Sequence, residues 1–444
     1  MVIKLAHFSP GRTIFLSLIG TILLSTALLA LPQARHAPIS FIDLLFTSTS
    51  ALCVTGLFTV SLDQFTLFGH AILLILIHIG GLGLITITLA FMYLFAKVGF
   101  SAQLIAGRML EIDSWKKIKK IVLFTFGVTI IAECCGALCI LPLFAQHYPL
   151  DHAWFYAFFH AVSSFCNAGI VIGTYFSLEQ YSSLFLCITM FLMIIGGIGF
   201  VTWYEIMEYI RSLSEKKHHH FSLHSKIVLS GTISLFFASA VIFWILERDA
   251  SLASLGPVQS FFSTIFHAFS CKSTGFLLTD IHQLHIATLF MIMLLSFIGS
   301  SPASTGSGVK ITTIAIVAAT IRAAITGRPD AEICGRRIER DQGNKAIAIS
   351  CLALCWIFLL TFFLLITQPT WTFFDCFFEA WTSFTNLGIP TGLTHTLSLA
   401  GKLCIITSMI IGRIGALTLV LALKLKSRHP AGEFSYPEER VMLG

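Results

Sequence analysis

Charge is scarce in this chain: Lys, Arg, Asp and Glu make up 11% of its 444 residues, while 56% are hydrophobic and the mean hydropathy is +0.86. A soluble domain carries roughly 25% charged residues, so this composition belongs in lipid. Other shortages narrow the function. No Ser-His-Asp pattern and no paired carboxylate stands at membrane depth, which argues against an intramembrane enzyme. No repeat carries an arginine-rich helix, which excludes a voltage sensor. None of the twelve cysteines shows zinc spacing with a histidine. Most sit in apolar stretches (Cys134, Cys135, Cys139, Cys351, Cys355), where a reduced thiol behaves as a small hydrophobe. The run His218–His220 lies among Lys and Glu and reads as a solvated basic turn.

What the chain has in abundance is apolar sequence of spanning length, about 20 residues. One set of stretches covers 13–31, 121–145, 227–247 and 347–367; a second covers 70–96, 182–207, 284–325 and 402–424. Eight crossings are expected, with a short aromatic segment between the members of each pair. Basic residues alternate in density between the connecting loops. Six lie from Lys97 to Lys120, four from Arg211 to Lys226, six from Arg322 to Lys345 and four in the tail, whereas the opposite loops hold Arg35, Arg248 and Lys402. By the positive-inside rule both termini are cytoplasmic. The net charge of +6 therefore reports topology in the cytoplasmic membrane, with no call for nucleic acid. The first stretch is too long for the apolar core of a signal peptide. Removing it would leave the first repeat without its leading helix.

Four segments between the paired stretches end in glycine: TSTSALCVTG at Gly56, AVSSFCNAG at Gly169, HAFSCKSTG at Gly275 and EAWTSFTNLG at Gly388. The steps between those glycines are 113, 106 and 113 residues. Each is followed 24, 27, 24 and 24 residues later by Gly80, Gly196, Gly299 or Gly412 in the second apolar stretch. A segment too short to span, flanked by helices of opposite direction, must enter and leave by the same face. Irregular backbone at that depth survives only where protein buries it or water lines it. Ser40, Asp151 and Thr370 are suitable N-caps for a short descending helix. Four helix carboxyl ends aimed at one axis favour a cation. Glycine lets the chain climb back with its carbonyls inward, as in a selectivity filter. The expected contributors are Val54, Thr55 and Gly56; Asn167, Ala168 and Gly169; Ser273, Thr274 and Gly275; Asn386, Leu387 and Gly388.

The chain thus reads as an all-α membrane protein of four tandem helix–pore-loop–helix repeats around one pseudo-fourfold ion pore. The repeats fall at 1–110, 111–222, 223–340 and 341–444, the last including a cytoplasmic tail. Three basic residues stand at membrane depth. Lys272 is expected to point behind the third loop and brace it by donating to backbone carbonyls. Lys310 follows Gly299-Ser-Ser-Pro-Ala-Ser-Thr-Gly-Ser-Gly308, which cannot stay helical and must face a water-filled cavity. It is no nucleotide loop, because Val309 separates Gly308 from the lysine and no strand precedes it. Arg413 follows Gly412 at a depth where arginine normally faces a cavity or a partner. Glu133 reads as a buried structural acid with no partner identified.

Taken together, SALCVTG at Ser50–Gly56, FHAVSSFCNAG at Phe159–Gly169, KSTGF at Lys272–Phe276 and FTNLG at Phe384–Gly388 resemble the Trk/Ktr/HKT superfamily of potassium transporters, as do Gly80–Gly83, Gly196–Gly199 and Gly412–Gly415. The likeness runs from about residue 13 to 425 and is closest to the shorter Ktr-type pore subunit. The third loop is one residue shorter from His267 to its glycine than the second from His160, a feature the family shares. The resemblance implies a gate crossing the pore at Gly299, Ala303, Ser304, Thr305, Gly306 and Gly308, followed by Lys310. It places Arg413 beneath the filter, either as a barrier or as a hydrogen-bond donor to carbonyls near Ser304. Where the family usually has arginine, Lys272 supplies a looser filter support. Gly56, in place of a serine associated with sodium transport, implies potassium. A cytosolic ring of nucleotide-sensing, Rossmann-type subunits and a homodimer are implied too; no cofactor is. A gated potassium channel or transporter subunit driven by membrane potential is the leading reading. The ion-conducting subunit of an ATP-driven pump and a sodium-coupled symporter are the alternatives.

Overall fold

A computed structural model of the chain describes residues 10–83, 115–173, 182–216 and 220–415. The run His218–His220 lies outside the described residues except for His220. Helices follow one another in four groups. Long helices α1 (Pro10–Leu29), α4 (Trp115–Phe144), α8 (Leu223–Glu247) and α12 (Arg340–Thr367) open the groups. Short helices α2 (Phe41–Cys53), α5 (Leu150–Phe165), α9 (Pro257–Ser273) and α13 (Phe373–Thr385) come next. Each group then returns through α3 (Leu67–Leu82), α6 (Ser183–Ile198), α10 (Ile286–Ile298) or α14 (Leu399–Ile414). Two further helices, α7 (Phe200–Ser214) and α11 (Ile311–Ile325), extend groups two and three.

Among the described residues, three helices are long and apolar enough to cross a membrane: Lys120–Phe144, Leu223–Glu247 and Arg340–Thr367. A fourth qualifies if α6 and α7 count as one span, but the chain bends by 97° between them. The apolar stretch at 182–207 is therefore not one straight helix. Gly199, at φ +94, ends α6 and turns the apolar sequence that follows. Gly83 and Gly415 end α3 and α14 with φ of 79 and 89, close to the φ of 94 at Gly199. In the third group the break comes earlier, at Gly299, as the Gly- and Ser-rich sequence predicts. The all-α expectation misses one small hairpin. Glu332–Ile333 pairs antiparallel with Arg336–Arg337 across Cys334 and Gly335, both at positive φ, as a tight two-residue turn requires.

Helix starts follow capping chemistry more than the loops suggested. Ser40 caps α2 as expected, its hydroxyl accepting from the Asp43 N–H at 3.2 Å. Asp151 instead lies inside α5, whose N-cap is Pro149, and there favours the positive end of the helix. Thr372, not Thr370, caps α13, because only Thr372 has an acid three residues on: Asp375 closes a reciprocal capping box.

The packing reverses the pattern of a soluble core. The short helices carry much of the buried aromatic bulk, including Phe46, Phe159, Phe165, Phe266 and Phe378, while Leu24, Ile131, Phe237 and Phe362 of the long helices stay exposed. Such an apolar exterior suits hydrocarbon. Within each group the three helices touch one another, and every returning helix also packs on the short helix of the next group. Thus α3 meets α5, α6 meets α9, α10 meets α13, and α14 closes the circuit on α2. Glycines permit the inner contacts. A Cβ at Gly80, Gly196 or Gly412 would strike the carbonyl of Leu52, Phe165 or Phe384, the last turn of that group's own short helix.

Candidate functional site

At the foot of three short helices the chain turns through a left-handed residue: Val54 (φ 58), Asn167 (φ 57) and Asn386 (φ 52). Asparagine takes that conformation readily, whereas a β-branched valine does so at a cost of about 1–2 kcal/mol. The next residue folds back on the helix, Thr55 N–H donating to Ser50 O at 2.8 Å, Ala168 to Ser163 at 2.8 Å and Leu387 to Thr382 at 3.0 Å. In the third group the equivalent donor is Gly275 itself, bonding Ser270 O at 3.0 Å. That turn has no left-handed residue before its glycine, and Ser273 is the last residue of α9. The residue missing after His267 is therefore the left-handed one. Serine hydroxyls brace the rising chain beyond: Ser163 with both the N–H and O of Ile170, Ser270 with Phe276 O, and Ser50 with the Gly56 N–H. Sequence reasoning passed over these serines, although each stands five or six residues before its glycine.

Gly56, Gly169, Gly275 and Gly388 all have positive φ, between 65 and 92. Each abuts the carbonyl of the residue before the next group's glycine. A Cβ at Gly56 would meet Ala168 O, at Gly169 Thr274 O, at Gly275 Leu387 O and at Gly388 Thr55 O. The order is cyclic and closed, so the structure brings the four turns together in one ring. Two side-chain links alternate around it. The Asn386 amide holds the Thr55 hydroxyl at 2.6 Å, and Asn167 Oδ1 accepts from the Thr274 hydroxyl at 2.6 Å. Ala168 and Leu387 take the threonine position in the other two turns, giving the ring a twofold pattern that spacing alone does not reveal.

Below the ring, residues 299–310 leave the third group and lie across the second. Thr305 N–H donates to Gly196 O at 3.1 Å, Ser301 N–H reaches Gly197 O at 3.4 Å, and Ala303 O accepts from Phe200 N–H at 2.9 Å. Ala303 is at φ 52, Gly299 at φ 57 and Gly308 at φ 81. Ser300, Ser301, Thr305 and Ser307 are buried, an unusual density of hydroxyls inside a helical bundle. Ser304 bonds back to Ser301 O, and Lys310 Nζ donates to Gly306 O at 2.6 Å, closing the segment on itself. Arg413 crosses from the fourth group, donating to Thr305 O at 2.9 Å and Ser307 Oγ at 2.7 Å, with its other nitrogen on Gly80 O of the first group. It thus donates to one carbonyl and one hydroxyl of the segment and to one carbonyl outside it. Asn167 also bonds Thr305 Oγ1 at 2.8 Å, so one side chain touches both ring and crossing segment.

Lys272 does turn away from the ring, but its partner is not a backbone carbonyl. Nζ lies 3.4 Å from the Thr232 hydroxyl of α8, in a small pocket with Leu235, Phe236, Ser239 and Phe269. Glu133 proves to have a partner, His78, at 3.2 Å. A further pair was invisible in the sequence: Lys402 of α14 and Asp43 of α2 meet at 2.6 Å, mostly buried, with Thr59 also on the carboxylate. Breaking a buried pair by removing one partner costs about 3–5 kcal/mol, whereas replacing both is often neutral. Asp43→Leu alone is therefore expected to lower the apparent melting temperature in detergent, and Asp43→Leu with Lys402→Met to recover most of the loss. Equal destabilisation by both variants would show that the pair does not tie group four to group one.

A family model described as TrkH, cation transport protein, matches residues 12–434. The chain is 33% identical over 449 residues to the Ktr system potassium uptake protein B of Bacillus subtilis, covering 100% of this chain and 98% of that one. It is 32% identical over 447 residues to the potassium/sodium uptake protein NtpJ of Enterococcus hirae, covering 99% and 98%. The crystal structure of the potassium transporter TrkH from Vibrio parahaemolyticus superposes with a TM-score of 0.69 at 18% identity, covering 94% of this chain and 86% of that one, and so shares its fold. The chain belongs to the TrkH family of cation transport proteins, a family of transporters and not of enzymes.

Proposed function

We propose that this chain carries potassium ions across the cytoplasmic membrane through the ring of four turns, with residues 299–310 and Arg413 as the gate. The observation that supports it best is the closed succession of glycine-to-carbonyl contacts, Gly56 to Ala168, Gly169 to Thr274, Gly275 to Leu387 and Gly388 to Thr55. Backbone oxygens so gathered replace the water of a dehydrated cation. The ion is held by the carbonyls of Val54, Thr55 and Gly56 and their counterparts in the other turns. Entry is driven by the membrane potential, about 2.3 kcal/mol per charge per 100 mV.

The four groups serve as repeats at 1–110, 111–222, 223–340 and 341–444, making eight crossings with both termini in the cytoplasm. A cytosolic ring of nucleotide-binding, Rossmann-type subunits regulates the gate, and the pore subunit works as a homodimer. A sodium-coupled version of this function has one observation behind it, the potassium/sodium uptake name of the relative from Enterococcus hirae. Potassium flux into proteoliposomes, measured with and without a sodium gradient, separates the two. Flux that sodium leaves unchanged sinks the coupled version, and absence of any potassium flux sinks both.

Gly56→Ser adds a Cβ 2.8 Å from Ala168 O at a φ of 92, pushing apart the first and second turns. A potassium-over-sodium preference lowered by about tenfold, roughly 1.4 kcal/mol, is expected in competition flux. Unaltered preference in a folded variant removes Gly56 from the filter.

A further inference from the structure

Glu133 plays no part in the ion pathway above. It lies in α4, 2% exposed, at a depth where an acid costs on the order of 2.5–3.5 kcal/mol. Its Oε1 stands 3.2 Å from His78 Nδ1 and 4.0 Å from Cys166 Sγ. The three donor atoms all lie within 4.8 Å of one another. Three elements deliver them: α3 supplies His78, α4 supplies Glu133, and Cys166 caps the carboxyl end of α5. Gly81 makes room for the thiol, since a Cβ there would strike the Cys166 side chain.

A zinc ion about 2.0–2.2 Å from nitrogen and oxygen and about 2.3 Å from sulfur holds tetrahedral ligands roughly 3.3–3.8 Å apart. The 3.2 and 4.0 Å separations seen here lie on either side of that range. Charge fits as well. A Cys166 thiolate, a Glu133 carboxylate and a neutral His78 carry two negative charges against the two positive charges of zinc. A neutral complex is what a poorly solvated site tolerates. His78 is one-third exposed, so the described residues do not close off a fourth ligand position. We propose that His78, Glu133 and Cys166 bind one zinc ion and so tie the second turn to α3 and α4. The Cys166 S–H bond breaks, an S–Zn bond forms, and the proton leaves to solvent. Cys166 adjoins Asn167, which holds both Thr274 and Thr305, so bound zinc stiffens the ring and the crossing segment together. That consequence for flux rests on the proposed ion pathway; the binding itself does not.

The test titrates the full chain, purified in detergent and stripped with chelator, with Co²⁺ alone. One equivalent is expected to give a thiolate-to-cobalt absorption band that Zn²⁺ abolishes. Cys166→Ser removes the band, while His78→Gln and Glu133→Gln each weaken zinc by about tenfold or more, judged by competition. A plain ion pair between His78 and Glu133 predicts no band. That result, or zinc affinity indifferent to both substitutions, overturns the site. In proteoliposomes zinc is expected to slow potassium flux, with about tenfold more needed for His78→Gln. Zinc bound at these residues without slowing flux overturns the regulatory consequence. Zinc bound at them in a chain that passes no potassium leaves the site standing and sinks the pathway instead.

Discussion

Deleting Ala303–Gly308 is expected to raise potassium flux through proteoliposomes by about tenfold or more. The crossing segment is held by the Thr305, Ser301 and Ala303 backbone bonds to α6 and α7, by Asn167 on Thr305 Oγ1, and by two donations from Arg413. A neutral hydrogen bond contributes about 0.5–1.5 kcal/mol net and one from a charged group about 1.5–3 kcal/mol. Even partial independence of these bonds favours the closed arrangement by several kcal/mol, and each ~1.4 kcal/mol removed is tenfold in population. Thr305→Val provides a milder version, losing the bonds to Asn167 and to Phe165 O while keeping the backbone bond to Gly196. Its flux is expected to fall between wild type and the deletion. Arg413→Gln, which keeps a donor but loses the charge and the bridge to Gly80, is expected to lie in the same range. Flux unchanged in all three, with the proteins folded, rules out the segment as the gate.

The sequence carried some of this and not the rest, for physical reasons. Helix positions were legible because lipid demands long apolar runs, and the four turns because each needs glycine at positive φ. The break at Gly299 was legible because ten residues of Gly, Ser, Pro, Ala and Thr hold no helix against water. The bend at Gly199 was not, because the residues after it, FVTW, are as apolar as those before. The order of the ring was hidden too. Contacts such as Gly388 with Thr55 join positions more than 300 residues apart, and no spacing rule reaches that far. Separation in sequence also concealed Lys402 on Asp43 and, over a shorter span, His78 beside Cys166. Lys272 shows a subtler limit. Its direction followed from like-charge repulsion with the permeant ion, but its partner depended on a hydroxyl in another helix, Thr232.

Gly388→Ala is expected to abolish flux, by about a hundredfold or more, together with the protection that potassium gives against thermal unfolding. Gly388 sits at φ 69, where a Cβ costs about 1–2 kcal/mol before any contact is made. That Cβ would lie on the Thr55 carbonyl, the tightest of the four glycine contacts. Thr55 cannot yield easily, since its N–H is bonded to Ser50 O and its hydroxyl to Asn386. The ring must therefore open at the junction of the fourth and first turns, and carbonyls that no longer converge stabilise a bare ion poorly. Alanine at Gly275 and Gly169 meets Leu387 O and Thr274 O less closely, and at Gly56 the separation from Ala168 O is 2.8 Å. Loss of flux is accordingly expected to ease in the order Gly388, Gly275, Gly169, Gly56. Gly20→Ala serves as the control, because nothing lies within 4 Å of its Cβ and alanine favours the helix. Potassium raises the unfolding temperature only of variants that still bind it. If Gly388→Ala transports and is protected like Gly20→Ala, the four turns do not form the ion site.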